Sequence, residues 1–436
     1  MLGSYTRSTV GLAAGAGLCA SITSCGSIAL GESLMEESQR QAEPADASAC
    51  SVLVPVLNEA SHIEASLAAM RNQRFPGQLE FLLVDGGSSD GTRQLLERLA
   101  SEDERIRLLE NPSGTTPSAL NIALRHARGR WVARMDAHTS YPEDYLARGV
   151  ERLARGDTRW VSGPQLAQGH NRVSRAVALA LTTRLGRGGS RRWGLLGEAA
   201  TAEYELDSGV FDGVWERRTL LEDGGWDERW LRNQDSEMAG RFLARGERLI
   251  CLTAMGAIYA PRGGLRSLWR QYREYGMYRE LTAVRHPDTM RRSHLLPPGL
   301  VVAFASSVVG AGPLRRLARG ALGIYAGALA GSVVLVWPTA EHKADVALVP
   351  VVLAVIHVAH GVGAIQGAIR YGPPTSALAR VLALRGVARR TAPSPQAVWA
   401  PSLWSEELRP HASADDVPRA SSTTTAPTNT TTSTRG

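Results

Sequence analysis

The pattern of hydrophobic and polar positions over the first third of the chain predicts alternating strands and helices. Short apolar runs bounded by polar residues predict strands at 51–57, 80–84, 106–109 and 131–135. Helical periodicity lies between them, at 61–72, 92–100 and 117–126. Because strands that alternate with helices form a parallel, doubly wound sheet, the sequence predicts an α/β domain.

Polar residues follow three of these strands. Asn58 and Glu59 come after the first strand, Asp85 after the second, and Asp136 and His138 after the fourth. Ligands of doubly wound sheets bind at the carboxyl ends of the strands. The sequence therefore predicts one functional edge that carries these side chains.

Three later stretches are long and uncharged, at 295–313, 320–337 and 346–369. Each is close to the roughly 20 residues that cross a bilayer, which predicts a membrane region. The positive-inside rule places the arginines between the first two stretches, Arg315, Arg316 and Arg319, in the cytosol. Three spans would put that loop outside, so we expect the first stretch not to cross and two true spans to remain, with three as the alternative.

Composition narrows the classes of partner. Lys and Arg together number 49 against 42 Asp and Glu, a net charge of +7 that suits phosphate-bearing ligands and anionic lipids. Zinc-finger spacing and RNA-binding aromatic signatures are missing from the sequence, so nucleic acid is not an expected partner. The four cysteines form no CxxC pair, which predicts reduced thiols.

The sequence predicts four regions along the chain. Residues 1–49 are expected to be a disordered or misannotated segment, and 50–285 a catalytic domain. Membrane-associated helices are expected at 286–371. The tail, 372–436, is rich in Pro, Ser and Thr towards its end and is expected to be disordered at least from 391.

Three motifs together resemble those of family 2 glycosyltransferases. They are Val54-Pro-Val-Leu-Asn-Glu59, Leu83-Val-Asp-Gly-Gly-Ser-Ser-Asp-Gly-Thr92 and Asn233-Gln-Asp-Ser-Glu237. The branch most resembled contains the succinoglycan-biosynthesis glucosyltransferases, and the resemblance covers roughly residues 51–370. It implies a glycosyltransferase A-type fold: a doubly wound, mostly parallel sheet with a Rossmann-like nucleotide-binding half, followed by C-terminal hydrophobic membrane helices.

The resemblance implies a nucleotide-sugar site formed by Pro55, Glu59, Asp85 and Asp136. Asp85 would accept a hydrogen bond from the imide N–H of a uracil base. Asp90 is expected only to support the start of the following helix.

The resemblance also implies a divalent metal, Mn²⁺ or Mg²⁺, because Asp136-Ala-His138 stands in the place of the family's Asp-x-Asp motif. Asp136 and His138 are the expected ligands. Imidazole suits manganese better than magnesium, so the histidine departs from the family pattern, and a surface histidine is the alternative interpretation.

In the third motif, the resemblance implies that Asp235 is the catalytic base, although Gln234 stands where the family usually has Glu. Trp226 and Trp230 lie in the stretch that contacts the acceptor in related enzymes. Packing in the core is the alternative for both rings.

These expectations combine into inverting transfer of a sugar from a nucleoside-diphosphate sugar, with UDP-sugar favoured, to a lipid-linked saccharide in extracellular polysaccharide or cell-envelope assembly. The enzyme would be a multi-pass protein of the inner or plasma membrane with a cytoplasmic catalytic domain. A basic amphipathic helix at 268–276 would lie at the membrane interface. The alternatives are a processive polysaccharide synthase, which the stretch 271–275 disfavours, and a non-catalytic membrane-bound nucleotide-sugar-binding protein.

Overall fold

The first predicted strand lies inside the observed sheet. In the computed structural model, which describes residues 48–190, 192–193 and 202–383, β1 spans Cys50–Val56 and is buried on both faces. It pairs in parallel with β2 (Leu79–Asp85) on one side and with β4 (Trp131–Arg134) on the other. An apolar run with little alternation is typical of a strand covered on both faces.

The elements follow the predicted order and continue beyond it. The remaining strands are β3 (Ile106–Glu110), β5 (Thr139–Ser140), β6 (Trp160–Ser162), β7 (Gln165–Ala167), β8 (Glu203–Glu205), β9 (Gly213–Glu216), β10 (Leu249–Leu252) and β11 (Ala257–Tyr259). The helices are α1 (Ile63–Arg71), α2 (Thr92–Glu102), α3 (Thr116–His126), α4 (Tyr145–Leu153), α5 (Arg172–Thr182), α6 (Arg184–Arg187), α7 (Arg217–Glu222), α8 (Gln234–Ala244), α9 (Leu265–Arg285), α10 (Leu296–Val309), α11 (Gly312–Val336), α12 (Lys343–Val346), α13 (Val349–Tyr371) and α14 (Thr375–Val381). Short 3₁₀ turns lie at Thr253–Met255, Pro287–Thr289 and Arg292–Leu295.

The main sheet is mostly parallel, as expected, but it includes two strands that run the opposite way. Its strand order is β3-β2-β1-β4-β9-β6-β10-β8, in which the first four strands form a continuous parallel block and β6 and β10 form a second parallel pair. β9 runs antiparallel to both β4 and β6, and β8 runs antiparallel to β10. The later strands have three or four residues each, too few for hydrophobic periodicity to reveal them.

Helices cover both faces of the sheet, as the doubly wound prediction requires. On one face, apolar side chains of α1, α2 and α4, among them Leu67 and Leu96, pack against the strands. On the other face, α3 and α8 contribute Leu120 and Phe242 to a second core that includes Trp160. The ends of the parallel strands are consequently the exposed edge on which a site can form.

The three apolar stretches become helices of unequal length. α10 has 14 residues, about 21 Å at 1.5 Å per residue, which is too short for a hydrocarbon core of about 30 Å. Within the described residues, 312–336 and 343–371 are long and apolar enough to span a membrane. α11 exposes large apolar side chains: Leu317, Ile324, Val334 and Leu335 are each at least 70% exposed.

α13 packs along helices that precede the apolar stretches, α5 and α9. A side chain added at Gly276 of α9 would place its Cβ 2.1 Å from the carbonyl oxygen of His360, so the two helices touch through their backbones. Just before α13, the carboxylate of Asp345 is paired with Arg175 of α5 at 2.6 Å. At the far end, the Tyr371 ring lies 6.4 Å from that of Tyr278 in α9.

The predicted outer regions are described only in part. The expectations for 1–47 and for 384–436, including disorder from 391, lie outside the described residues. Within the predicted tail, α14 is folded, because Ala377 and Val381 pack against Ala283 and Met290. Folded structure therefore extends into the first part of the predicted tail, ahead of residue 391, from which disorder is expected.

Candidate active site

Asp85 ends β2 and is almost completely buried. Its Oδ1 accepts hydrogen bonds from the backbone N–H of Ser88 at 3.2 Å and from the Ser88 hydroxyl at 2.6 Å. The guanidinium of Arg93 lies 3.8 Å from its other oxygen. Gly87 allows the chain to turn here because it adopts a φ of +86°. The carboxylate is thereby held at the edge of the sheet by its own loop.

The loop after β1 is bonded to the loop after β2. The backbone N–H of Asn58 donates to the Ser88 hydroxyl at 2.9 Å, and that of Glu59 donates to the Thr92 hydroxyl at 2.8 Å. Asp90 accepts from the N–H of Thr92 at 3.1 Å, in the supporting role expected of it. These bonds place the side chain of Glu59 next to the end of β4.

Pro55 is part of β1 itself and pairs in register with Val84, one residue before Asp85. Glu59 contacts the Asp136-Ala-His138 segment, since one of its carboxylate oxygens lies 3.0 Å from Nδ1 of His138. Burial opposes protonation of His138, but the hydrogen bond to Glu59 and the charges of Asp136 and Glu59 outweigh it and raise the pKa of the imidazole.

A buried arginine joins the two key carboxylates. Arg134, in the last position of β4, donates to both oxygens of Asp136, from Nε at 2.8 Å and from Nη2 at 3.1 Å. Its Nη1 donates to Oδ1 of Asp235 at 2.7 Å. Arg134 is only 3% exposed, so this bridge lies in surroundings of low dielectric. Asp136 and Asp235, separated by almost a hundred residues in sequence, are thus held together by one guanidinium.

Asp235 occupies the first turn of α8 and has the electrostatics of a general base. Burial raises the pKa of its carboxyl to about 6, with a further contribution from the negative charge of Asp136, while Arg134 and Arg192 oppose the rise. A carboxylate with a pKa near 6 is ionised at neutral pH yet still basic enough to accept a proton.

Asp212, which belongs to none of the three motifs, lies just before β9 and is fully buried. Within the described part of the chain neither of its carboxylate oxygens has a hydrogen-bond partner. Burial and the charge of Asp136 raise its pKa well above the usual range, which favours the neutral form of the carboxyl group. It lies in an irregular segment ahead of a four-residue strand, where no pattern marks it.

The two expected metal ligands are present, but they do not by themselves form a complete coordination site. The described residues contain no cluster of three or more His, Cys, Asp and Glu side chains suited to an ion. Asp136 retains free lone pairs beside the Arg134 bonds, and His138 uses Nδ1 for Glu59, which leaves Nε2 for a metal. Divalent ions at phosphate sites are often held by one or two side chains plus substrate oxygens, so the pair fits an ion that the donor's diphosphate would complete.

The two tryptophans do not fit the acceptor role expected of them. Trp226 is 2% exposed and packs edge-on against Trp215, with ring centroids 5.8 Å apart. Trp230 is 3% exposed and donates from Nε1 to the hydroxyl of Thr282 at 3.1 Å. Neither ring faces a surface on which a sugar could stack. Both side chains serve packing, because a large apolar ring gains more from burial in the core.

Comparison with known proteins agrees with these motifs. The sequence model of the family described as "Glycosyl transferase family 2" matches residues 51–201. The chain is 34% identical to the succinoglycan biosynthesis protein ExoA of Rhizobium meliloti over 262 residues, which make up 58% of this chain and 76% of that protein. The chain belongs to glycosyl transferase family 2.

Other relatives of this family 2 member match over shorter stretches. The undecaprenyl-phosphate 4-deoxy-4-formamido-L-arabinose transferase of Pectobacterium carotovorum is 38% identical over 112 residues, 24% of this chain and 34% of that protein. Among solved structures, a mannosyltransferase from Pyrobaculum calidifontis in complex with GDP-Man and Mn²⁺ covers 78% of this chain and 96% of its own, at 19% identity and a TM-score of 0.47.

Proposed function

We propose that this family 2 glycosyltransferase transfers a sugar, with inversion, from a nucleoside-diphosphate sugar to a lipid-linked saccharide during extracellular polysaccharide or cell-envelope assembly. The observation that carries the proposal is the buried bridge Asp136–Arg134–Asp235 at the edge that also holds Asp85. UDP-sugar is the favoured donor because Asp85, at the end of β2, occupies the position to which the family resemblance assigns the uracil imide. The names of two relatives, one citing succinoglycan and one undecaprenyl phosphate, support the acceptor class.

In this mechanism the base and the donor site are held by one framework. Asp235 removes the proton from the acceptor hydroxyl as that oxygen attacks the anomeric carbon from the face opposite the diphosphate. Arg134 fixes the orientation of the Asp235 carboxylate relative to Asp136. Asp136 and His138 would hold a divalent metal, which would stabilise the negative charge that develops on the leaving diphosphate.

Membrane association is part of the proposal. The large apolar side chains exposed along α10 and α11 are typical of surfaces that contact lipid. A lipid-linked acceptor would then meet the active site at the bilayer surface. We place the catalytic domain in the cytoplasm, where nucleotide sugars are made available.

The test is hydrolysis and transfer from a panel of nucleotide sugars by detergent-solubilised protein, with Mn²⁺, Mg²⁺ or chelator. We expect one UDP-sugar to be consumed in the presence of metal, and Asp235→Asn to lower kcat by about 10²- to 10⁴-fold while the donor still binds. The matched control is Asp227→Asn, which alters a carboxylate outside the bridge, paired with Arg229. Donor binding without turnover, even with added membrane lipid extract, would favour the non-catalytic alternative, and polymeric product would favour the processive one.

A further inference from the structure

A group of partly buried arginines lies near Asp235: Arg192, Arg279 and Arg291. Arg279 of α9 donates from Nη2 to the hydroxyl of Ser236 at 3.3 Å, which places its guanidinium one residue from the proposed base. Its Nη1 is buried and has no hydrogen-bond partner within the described residues. The Nε of Arg192 is also buried and unpaired within the same part of the chain. Two guanidinium donors are thus left without acceptors.

Nearby side chains do not neutralise this charge. Burial, followed by the positive charges of Arg192 and Arg291, lowers the pKa of Arg279 to about 10, so these cations repel one another. Arg291 forms an ion pair with Asp207, whereas within the described residues neither Arg192 nor Arg279 has a carboxylate within ion-pair distance. Glu280 is next to Arg279 in sequence, but burial raises its pKa to about 7, so it carries only part of a negative charge at neutral pH.

The cluster also faces the membrane-associated helices. Arg279 follows Gly276 by one turn of α9, at the point where α9 touches α13 through the carbonyl of His360. His294, in the 3₁₀ turn that leads to α10, accepts at Nδ1 from the backbone N–H of Arg291 at 3.2 Å. Buried unsatisfied donors are costly, whereas arginine binds phosphate through strong charge-assisted hydrogen bonds.

We propose that Arg279, together with Arg192 and Arg291, binds the phosphate group of the lipid-linked acceptor and thereby presents the acceptor hydroxyl to Asp235. The inference rests on the proposed function and adds the site that recognises the acceptor's anion. The donor's diphosphate is the other source of the same chemistry. Its expected place is beside Asp136 and His138, the proposed metal ligands.

The test measures binding, not turnover, by calorimetry on the full chain in detergent. The probes are farnesyl diphosphate, inorganic pyrophosphate, uncharged farnesol and UDP. We expect Arg279→Gln to weaken farnesyl diphosphate binding by about 10- to 100-fold and to leave the UDP affinity unchanged. Arg273→Gln is the matched control, since Arg273 is an exposed arginine of the same helix, and it should leave both affinities within about twofold.

Two outcomes would overturn the proposal. Unchanged farnesyl diphosphate affinity in Arg279→Gln would show that the cluster binds no lipid phosphate. An equal loss of UDP affinity would assign the cluster to the donor. If Arg279→Gln does not fold, Arg279→Lys and Arg192→Gln are measured in its place. We expect Arg279→Lys to lose part of the farnesyl diphosphate affinity and Arg192→Gln to lose all of it. Because Asp235→Asn should bind farnesyl diphosphate like the wild type, failure of the catalytic proposal would be visible separately, as absent nucleotide-sugar turnover.

Discussion

At the scale of single residues, the site depends on Arg134, which holds two carboxylates of different proposed roles. Arg134 and Asp136 are two positions apart, and residues at that spacing along a strand point to the same side. The sequence could therefore have paired them. That Arg134 also reaches Asp235 could not be predicted, because the contact depends on how α8 approaches the end of β4.

Removing the Arg134 guanidinium should lower the stability of the folded protein. Arg134→Gln would leave two mostly buried carboxylates without their partner, and losing one member of a buried ion pair typically costs about 3–5 kcal/mol. We expect a correspondingly lower free energy of unfolding in denaturant titrations. Arg74→Gln is the control, because Arg74 and its partner Glu143 are mostly exposed and such pairs contribute at most about 1 kcal/mol. Equal effects of the two substitutions would contradict a structural role for the bridge.

The pKa of Asp235 predicts the pH dependence of the reaction. The proposed base acts in its ionised form, and burial raises its pKa to about 6. The group is therefore protonated and inactive below pH 6, so kcat/KM should rise about tenfold per pH unit up to pH 6 and then level off. A pH series of nucleotide-sugar hydrolysis measures this. Activity that levels off already near pH 4 would exclude a base with a raised pKa.

At the scale of elements, hydrophobic periodicity predicts the longer strands and helices correctly. The first four strands and three helices were predicted with boundaries within two residues of those observed, because each is an apolar run or a helical repeat. β6 and β9 were missed since they have only three and four residues. Without β9, the sequence could not reveal that the sheet becomes mixed, or that Asp212 is buried beside Asp136.

The contact between α9 and α13 requires glycine. A Cβ at Gly276 would lie 2.1 Å from the carbonyl oxygen of His360, so the two helices would have to move apart. We expect Gly276→Ala to lower the free energy of unfolding by about 1–3 kcal/mol, the usual cost of overpacking. Gly320→Ala in α11 is the control, since nothing lies within 4 Å of its added methyl group and alanine favours a helix. Thermal unfolding in detergent compares the two variants. An unchanged free energy of unfolding for Gly276→Ala would mean that the helices are not in close contact.

At the scale of the whole molecule, the packing of α13 bears on the expected two-span topology. Hydropathy makes α13 look like a membrane span, yet its flanking Asp345 pairs with Arg175 of α5, and Tyr371 at its end contacts Tyr278 of α9. α5 and α9 belong to the catalytic part of the chain, so both ends of α13 contact one domain. Hydropathy cannot separate such a core helix from a span, because both are apolar.

This packing predicts that the loop between α11 and α13 stays on the catalytic side of the membrane. A Glu341→Cys variant should then resist a membrane-impermeant maleimide in intact cells and react after lysis, as a Glu104→Cys control in the catalytic domain should. The opposite result, labelling of Glu341→Cys but not of Glu104→Cys in intact cells, would restore the two-span topology. It would also require the pair between Asp345 and Arg175 to be absent in the membrane. Protection of both sites would instead mean that α10 and α11 anchor the enzyme from one side, through their exposed apolar surface.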